Sequence, residues 1–316
     1  MTERRVHRLE GLEPNNILAF LALLGSLHAL DVIDKEDGNA ESVLRARAAW
    51  DDTKLPLRPC LYFARDVSRR VVIDRMVKGI ELLAKAYDFG PYEKLKFSPE
   101  QARSELSKAA EKNEPIGPLL WSALISDVAA REKTVERTPL CLLDVAQTSF
   151  LKTLGFTASC AKDQGNAIER SLFHPWQWED SDPKFKSFRW DPMEDVRHAY
   201  RFTAPTDDKK WVEKGANVLA AFALPLLTVV PMQSGSSVRL QMIGGNYRDG
   251  QFRFAWPIWH QPASLAAIRA MLMHGSLWKQ NGLEHLGVDL VMESRRIQCG
   301  RYKNFTWASP LREEVQ

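Results

Sequence analysis

Val238-Arg239-Leu240-Gln241-Met242-Ile243, then Gly244-Gly245-Asn246-Tyr247-Arg248-Asp249-Gly250, then Gln251-Phe252-Arg253-Phe254-Ala255-Trp256, is the stretch that decides the fold class. The first run alternates apolar and polar side chains for most of its length. A strand with one buried face must do so, because successive side chains point to opposite sides. The glycine-rich run reads as a connection and the third run as the partner strand, so a hairpin is expected. Further strand-favouring runs lie at 188–190, 199–202 and 226–230, and two more surround Cys299-Gly300. Helices are expected between them, near 216–224 and 264–274. Eight of the ten tryptophans follow residue 175, so this half relies on large rings for its core or its contacts.

Upstream of about residue 180 the texture changes to helices. The run 15–30 places Ile17, Phe20, Leu21, Leu24 and Leu27 on one face, with a strip of small residues beside it: Ala22, Gly25, Ser26 and Ala29. Small side chains let a second element approach closely, so this helix should be buried on two sides. The acidic stretch 31–41, which contains Gly38, reads as the loop that ends it. A second helix is expected over 68–87, with Ile73, Met76, Val77, Ile80 and Leu83 inward. Ser98-Pro99-Glu100-Gln101 is a capping box with proline at the first helical position. Pro115 stops that helix, and Gly117-Pro118 opens another whose apolar side includes Leu120, Trp121, Leu124, Ile125 and Val128. A further helix is expected over 142–154. The chain therefore reads as an α+β protein, with a mainly helical part over 1–180 and a part over 181–316 built on an antiparallel or mixed sheet.

At 316 residues, 45% hydrophobic and 26% charged, the composition is globular. Cys60, Cys141, Cys160 and Cys299 are widely and irregularly spaced, which fits neither a zinc site nor a disulfide framework and points to a reducing cytoplasm. The apolar stretch 17–30 contains His28 and is too short to span a bilayer, so it is expected to be a core helix and no membrane is implied. A net charge of +3 is small for a chain that holds nucleic acid by charge alone. Local basic clusters can still meet phosphates where partners supply the rest of the field.

The usual signatures of self-contained chemistry are missing. There is no phosphate-binding G-x-x-x-x-G-K-[ST] loop, no G-x-G-x-x-G, no H-E-x-x-H and no G-x-S-x-G. The seven histidines lack i,i+4 metal spacing, although His274 and His285 could converge. Asp191, Glu194 and Asp195 are open to two readings. They could form a metal or acid–base site, as in a metal-dependent hydrolase or nuclease. The favoured reading is a turn begun by Asp191-Pro192, because no second acidic cluster stands out. The basic and aromatic residues around two connections carry more weight. Asn246, Arg248 and Arg253 lie around one; Arg295, Arg296, Arg301 and Lys303 lie around the other. Arginine pairs with phosphates and flat rings stack on bases. A solvated strand face with aromatics behind it has the same composition.

Two stretches carry a resemblance. One is Leu9-Glu10-Gly11-Leu12-Glu13-Pro14-Asn15-Asn16-Ile17-Leu18-Ala19-Phe20-Leu21-Ala22-Leu23-Leu24-Gly25. The other starts at Arg189-Trp190-Asp191-Pro192 and runs to Tyr200-Arg201-Phe202; Ala216-Asn217-Val218-Leu219-Ala220-Ala221-Phe222-Ala223-Leu224-Pro225-Leu226 follows it. In this order the chain resembles the CRISPR-associated large-subunit proteins of type I-G (formerly I-U) Cascade surveillance complexes, over roughly 9–231. The resemblance implies a non-enzymatic subunit without a cofactor, held with guide RNA and the other Cascade subunits. It would recognise the short motif flanking the target in duplex DNA, help to open the duplex and dock a separate helicase–nuclease. Guide pairing would read the long sequence while the protein reads a few base pairs and the backbone.

Overall fold

Ile17 to Leu30 are all buried, as a helix that is apolar on every side requires. The computed structural model describes residues 4–39, 42–112, 114–145, 148–178, 185–194, 212–235, 237–300 and 302–312. Within them helix α1 runs Ile17–Asp37, capped by the Asn16 side chain, which accepts from the Leu18 N–H at 2.9 Å. The helix extends well beyond the expected loop start at 31. Its acidic last turns are held from outside: Asp31 pairs with Lys35 at 2.7 Å, and Asp34 accepts from the Arg45 N–H at 2.7 Å. Gly38, at φ +58°, ends it. At this length and composition α1 could cross a membrane, but 78% of its most apolar window lies inside the fold.

The small strip on α1 does what its side chains allow. Helix α2 (Arg69–Ala84) and, much later, helix α7 (Lys214–Ala221) pack on opposite parts of it. A Cβ built on Gly25 would fall 1.8 Å from the Leu219 carbonyl oxygen, and one on Gly79 of α2 would fall 1.9 Å from that of Ala29. Burial on two sides therefore holds. At the far end His28 Nδ1 donates to the Phe222 carbonyl at 2.7 Å.

Around this axis the architecture is α+β, with 39% helix and 26% strand. The first half also contains a sheet that the helical reading passed over. Strands β1 (Arg4–Arg8), β2 (Arg47–Asp51) and β3 (Arg58–Val67) form an antiparallel sheet in the order β1-β3-β2. Helix α3 (Pro99–Glu111) begins with the expected capping box, both arms made. Helix α4 (Ile116–Leu124) ends sooner than expected. Ile125 and Val128 lie instead on β4 (Ile125–Arg131), which pairs with β5 (Thr134–Arg137) across a turn at Glu132, φ +58°. Helix α5 covers Phe150–Cys160 rather than 142–154, because the Asp144 carboxylate takes the Phe150 N–H at 2.7 Å and fixes the start there. Helix α6 (Gly165–Phe173) precedes the turn at 176–178.

The C-terminal half carries the five-stranded antiparallel sheet. The expected pairing is redistributed. β6 (Val229–Ser234) pairs with β7 (Ser237–Met242), whereas the expected connection is itself strand β8 (Gly245–Arg248). β8 pairs with β9 (Gln251–Trp259) through Asp249-Gly250, both at positive φ, as a tight two-residue hairpin demands. After helix α8 (Leu265–Met273) come β10 (Val288–Cys299), β11 (Tyr302–Phe305) and the short β12 (Ser309–Pro310), giving β11-β10-β9-β8 with β12 also on β10. Residues 188–190 form a bend, with Arg189 at φ +62°, and 199–202 lie outside the described residues. Phe20 of α1 stacks on Trp256 of β9 at 5.4 Å, so the two halves share one continuous core.

One consequence is measurable by pH. Burial holds the His28 imidazole below its ordinary pKa, and His7 is shifted the same way, also by burial first. The unfolded chain takes up these protons near pH 6.5, while the native state resists them. Stability should be flat above about pH 6.5 and fall below it, by up to about 1.4 kcal/mol per pH unit for each histidine. Urea midpoints between pH 8 and pH 5 measure this. In His28→Asn the acid slope should shrink; an unchanged slope would rule His28 out as a source.

Candidate nucleic-acid interface

Strand alternation divides the basic residues between the two faces of the C-terminal sheet. Arg253 stands opposite Asn246 on β8 and Arg295 on β10, so these three share a face, and Arg248 belongs to it by period two. Arg296 and Lys303 stand on the other face, opposite Phe305 and Gln298. Arg301 lies outside the described residues.

On the first face most of the charge is used internally. Arg253 is 5% exposed and pairs with the equally buried Glu293 at 3.1 Å and with Asp249 at 3.0 Å. Arg248 lies over the Trp278 ring and donates to the Trp278 carbonyl at 3.0 Å. The Asn246 side chain accepts from the Tyr247 N–H at 2.8 Å. Arg295 is the exposed member, with half its side chain in solvent and Glu293 at 3.4 Å.

The second face holds a denser and less balanced group. Arg296 lies over Phe252 and donates to the Pro139 carbonyl at 2.9 Å. Arg239 of β7 sits over the Tyr247 ring, and Arg137 of β5 reaches Asp144 at 3.6 Å. Lys303, half-buried, has no hydrogen bond or ion pair among the described residues. Burial pulls its ammonium pKa down, and repulsion from Arg296 and Arg137 adds to that. The nearby carboxylates are turned inward. Asp144 accepts from the N–H groups of Leu95 and Phe150, and Glu136 accepts from that of Leu240 at 3.2 Å. Four cations thus face two carboxylates already bonded to backbone. Such a group lowers its energy by taking up an anion. Arg137 and Arg239 were not among the residues singled out from sequence: β5 and β7 bring them in from positions with no local signal.

The acidic candidates behave otherwise. Asp191 is fully buried. Its Oδ1 accepts from Asn16 Nδ2 and the Met193 N–H, both at 3.0 Å, and its Oδ2 accepts from Trp178 Nε1 at 2.8 Å. Glu213, also buried, accepts from the N–H groups of Gln177 and Trp178. Two carboxylates thereby pin the 176–178 turn, one by the indole and one by the backbone. The Asp191-Pro192 turn is present, with a 3-10 turn at Pro192–Glu194; Asp195 lies outside the described residues. Asn16 and Asp191 belong to the two separate stretches that carry the resemblance, and the run 216–226 that follows the second touches α1 where Leu219 meets Gly25. These motif residues hold the centre of the fold together.

His274 and His285 do converge, with ring centroids 5.7 Å apart. The Ser276 N–H donates to His274 Nδ1 at 3.1 Å, so the neutral ring keeps its hydrogen on Nε2 and has no lone pair to offer there. Among the described residues no group of three or more His, Cys, Asp or Glu could hold a metal. Cys60 and Cys141 are buried free thiols, and burial lifts the Cys60 pKa to about 12, which makes it a poor nucleophile. Compared with known proteins, the chain matches no family model, no curated protein and no solved structure.

Proposed function

We propose that the chain is a non-catalytic, nucleic-acid-binding large subunit of an RNA-guided type I-G Cascade assembly. In this reading it recognises the motif flanking the target in duplex DNA, helps to open the duplex and docks a separate helicase–nuclease. The observation that carries nucleic-acid binding is the cation group Arg137, Arg239, Arg296 and Lys303, with no acid paired to Lys303 among the described residues. Phosphodiester oxygens supply the missing negative charge, and Arg295 adds an exposed contact across the same hairpin. The assembly role itself rests on the two sequence stretches and their order.

The test uses the chain purified with its RNA-containing partners. Lys303→Glu and Arg295→Ala alter side chains that make no hydrogen bond to the rest of the fold. Each should weaken binding to target duplex and flatten its salt dependence by about 0.9 per lost phosphate contact. Co-purification with no RNA, or an unchanged salt slope in both variants, would sink the proposal.

A further inference from the structure

The end of the N-terminal sheet gathers arginines that are far apart in the chain. Arg4 of β1 is two residues before Val6, which stands opposite Tyr62 of β3, and Arg47 of β2 stands opposite Tyr62 from the other side. Arg4 itself stands opposite Val67, which leads through Ser68 into Arg69 and Arg70 of α2. Arg65 reaches the Ser42 carbonyl at 2.9 Å, and the Ala64 N–H donates to Leu44 at 3.0 Å, which seats Arg45 beside them. All six of these arginines are exposed.

Their compensation is slight. Arg70 meets Asp74 at 3.8 Å, with both side chains mostly in solvent, and neighbouring Arg5 meets Asp66 at 3.9 Å in the same way. Exposed pairs this loose neutralise little. Arg4, Arg45 and Arg47 have no acidic partner among the described residues. The positive field reaches inward: beyond the effect of burial, the imidazole of His7 is further discouraged from protonating by Arg69 and Arg4. The first turn of α2 carries two arginines and no acid, opposite to what the positive helix end favours in isolation.

We infer that this arginine face is a second docking surface, and that its partner is the phosphodiester backbone of a nucleic acid. Arg4 and Val6, two residues apart on β1, stand opposite Val67 and Tyr62, so the register shift folds this five-residue step of β3 into roughly 7 Å along the sheet and draws the arginines that follow Tyr62 toward Arg4 and Arg47. Guanidinium, the only cationic group used, offers a planar fork of donors suited to phosphate oxygens. The surface lies on another sheet from the Lys303 group and stands on its own charge geometry, independently of the assembly role.

The experiment takes the full chain with Arg47→Ala, Arg65→Ala and Arg70→Ala combined, against a short labelled DNA duplex over a salt series. The log–log slope should flatten by about 0.9 for each arginine that meets a phosphate. An unchanged slope in a variant with the wild-type unfolding midpoint overturns the inference. So does a wild-type chain that binds phosphatidylserine vesicles but not duplex. If the triple variant folds poorly, Arg4→Ala with Arg47→Ala serves the same reading. Lys303→Glu, run alongside, separates the two surfaces: a slope lost there and kept here rejects this face alone, and the reverse rejects only the other.

Discussion

Gly25→Ala should destabilise the protein by about 3 kcal/mol or more, although the same change in an open helix is worth about 1 kcal/mol in the opposite direction. The added methyl would fall 1.8 Å from the Leu219 carbonyl oxygen, inside the repulsive wall of a backbone atom that cannot rotate away. Helices α1 and α7 would have to separate, opening the core around Phe20 and Trp256. Gly155→Ala provides the control within helix α5. Its nearest foreign atom would be the Tyr87 carbonyl oxygen at 3.6 Å, an ordinary contact, so that variant should be as stable as wild type or more so. Urea midpoints for the pair measure the difference. Equal midpoints would mean that α1 and α7 are not as closely packed as described.

Asp191→Ala should be nearly as damaging, again by about 3 kcal/mol, because one buried and two part-buried donors lose their acceptor together. Asn16 Nδ2 would be left unpaired in the interior, and Trp178 Nε1 and the Met193 N–H would lose the same carboxylate nearer the surface. Burial also raises the carboxyl pKa of Asp191, so removing the group relieves some desolvation, but one relieved charge is outweighed by three orphaned hydrogens. Asp191→Asn keeps one acceptor oxygen and turns an amide toward Trp178 Nε1, so an intermediate loss is expected. The same proteins separate the structural role from metal binding. Adding Mg²⁺ or Mn²⁺ should leave the wild-type melting temperature where it is, and a metal-dependent rise abolished in Asp191→Asn would refute the structural account.

Legibility from sequence depended on how local the cause was. Helix α1 announced itself through the apolar residues on all its sides and the strip containing Gly25, and helix α3 through Ser98 and Gln101, three residues apart. The first sheet did not. Arg4, Arg5 and Arg8 offer no apolar alternation, and what makes β1 a strand is its pairing with β3, some sixty residues later. Alternation over 238–256 identifies β structure but not its register, since Gly244 and Gly250 both turn the chain and nothing local says which turn joins which strands. Among the site residues, Arg253 illustrates the limit. Its alternation with Phe252 and Phe254 places it on the opposite face, yet nothing nearby in sequence tells that Glu293 waits there. The excess charge around Lys303 likewise comes from Arg137 and Arg239, which only the folded topology assembles.

The position of α1 in the chain has a consequence for its synthesis. The helix is complete at Asp37, whereas the segment that covers the Gly25 part of its small-residue strip begins at Lys214. At ordinary translation speeds the nascent polypeptide carries that half-covered greasy rod for roughly 10 to 35 s before its last lid emerges from the ribosome. During that interval holdase chaperones are its natural cover, and any fragment ending before Lys214 keeps the problem permanently. Full-length expression and slow, chaperone-rich growth therefore suit this molecule better than truncation does.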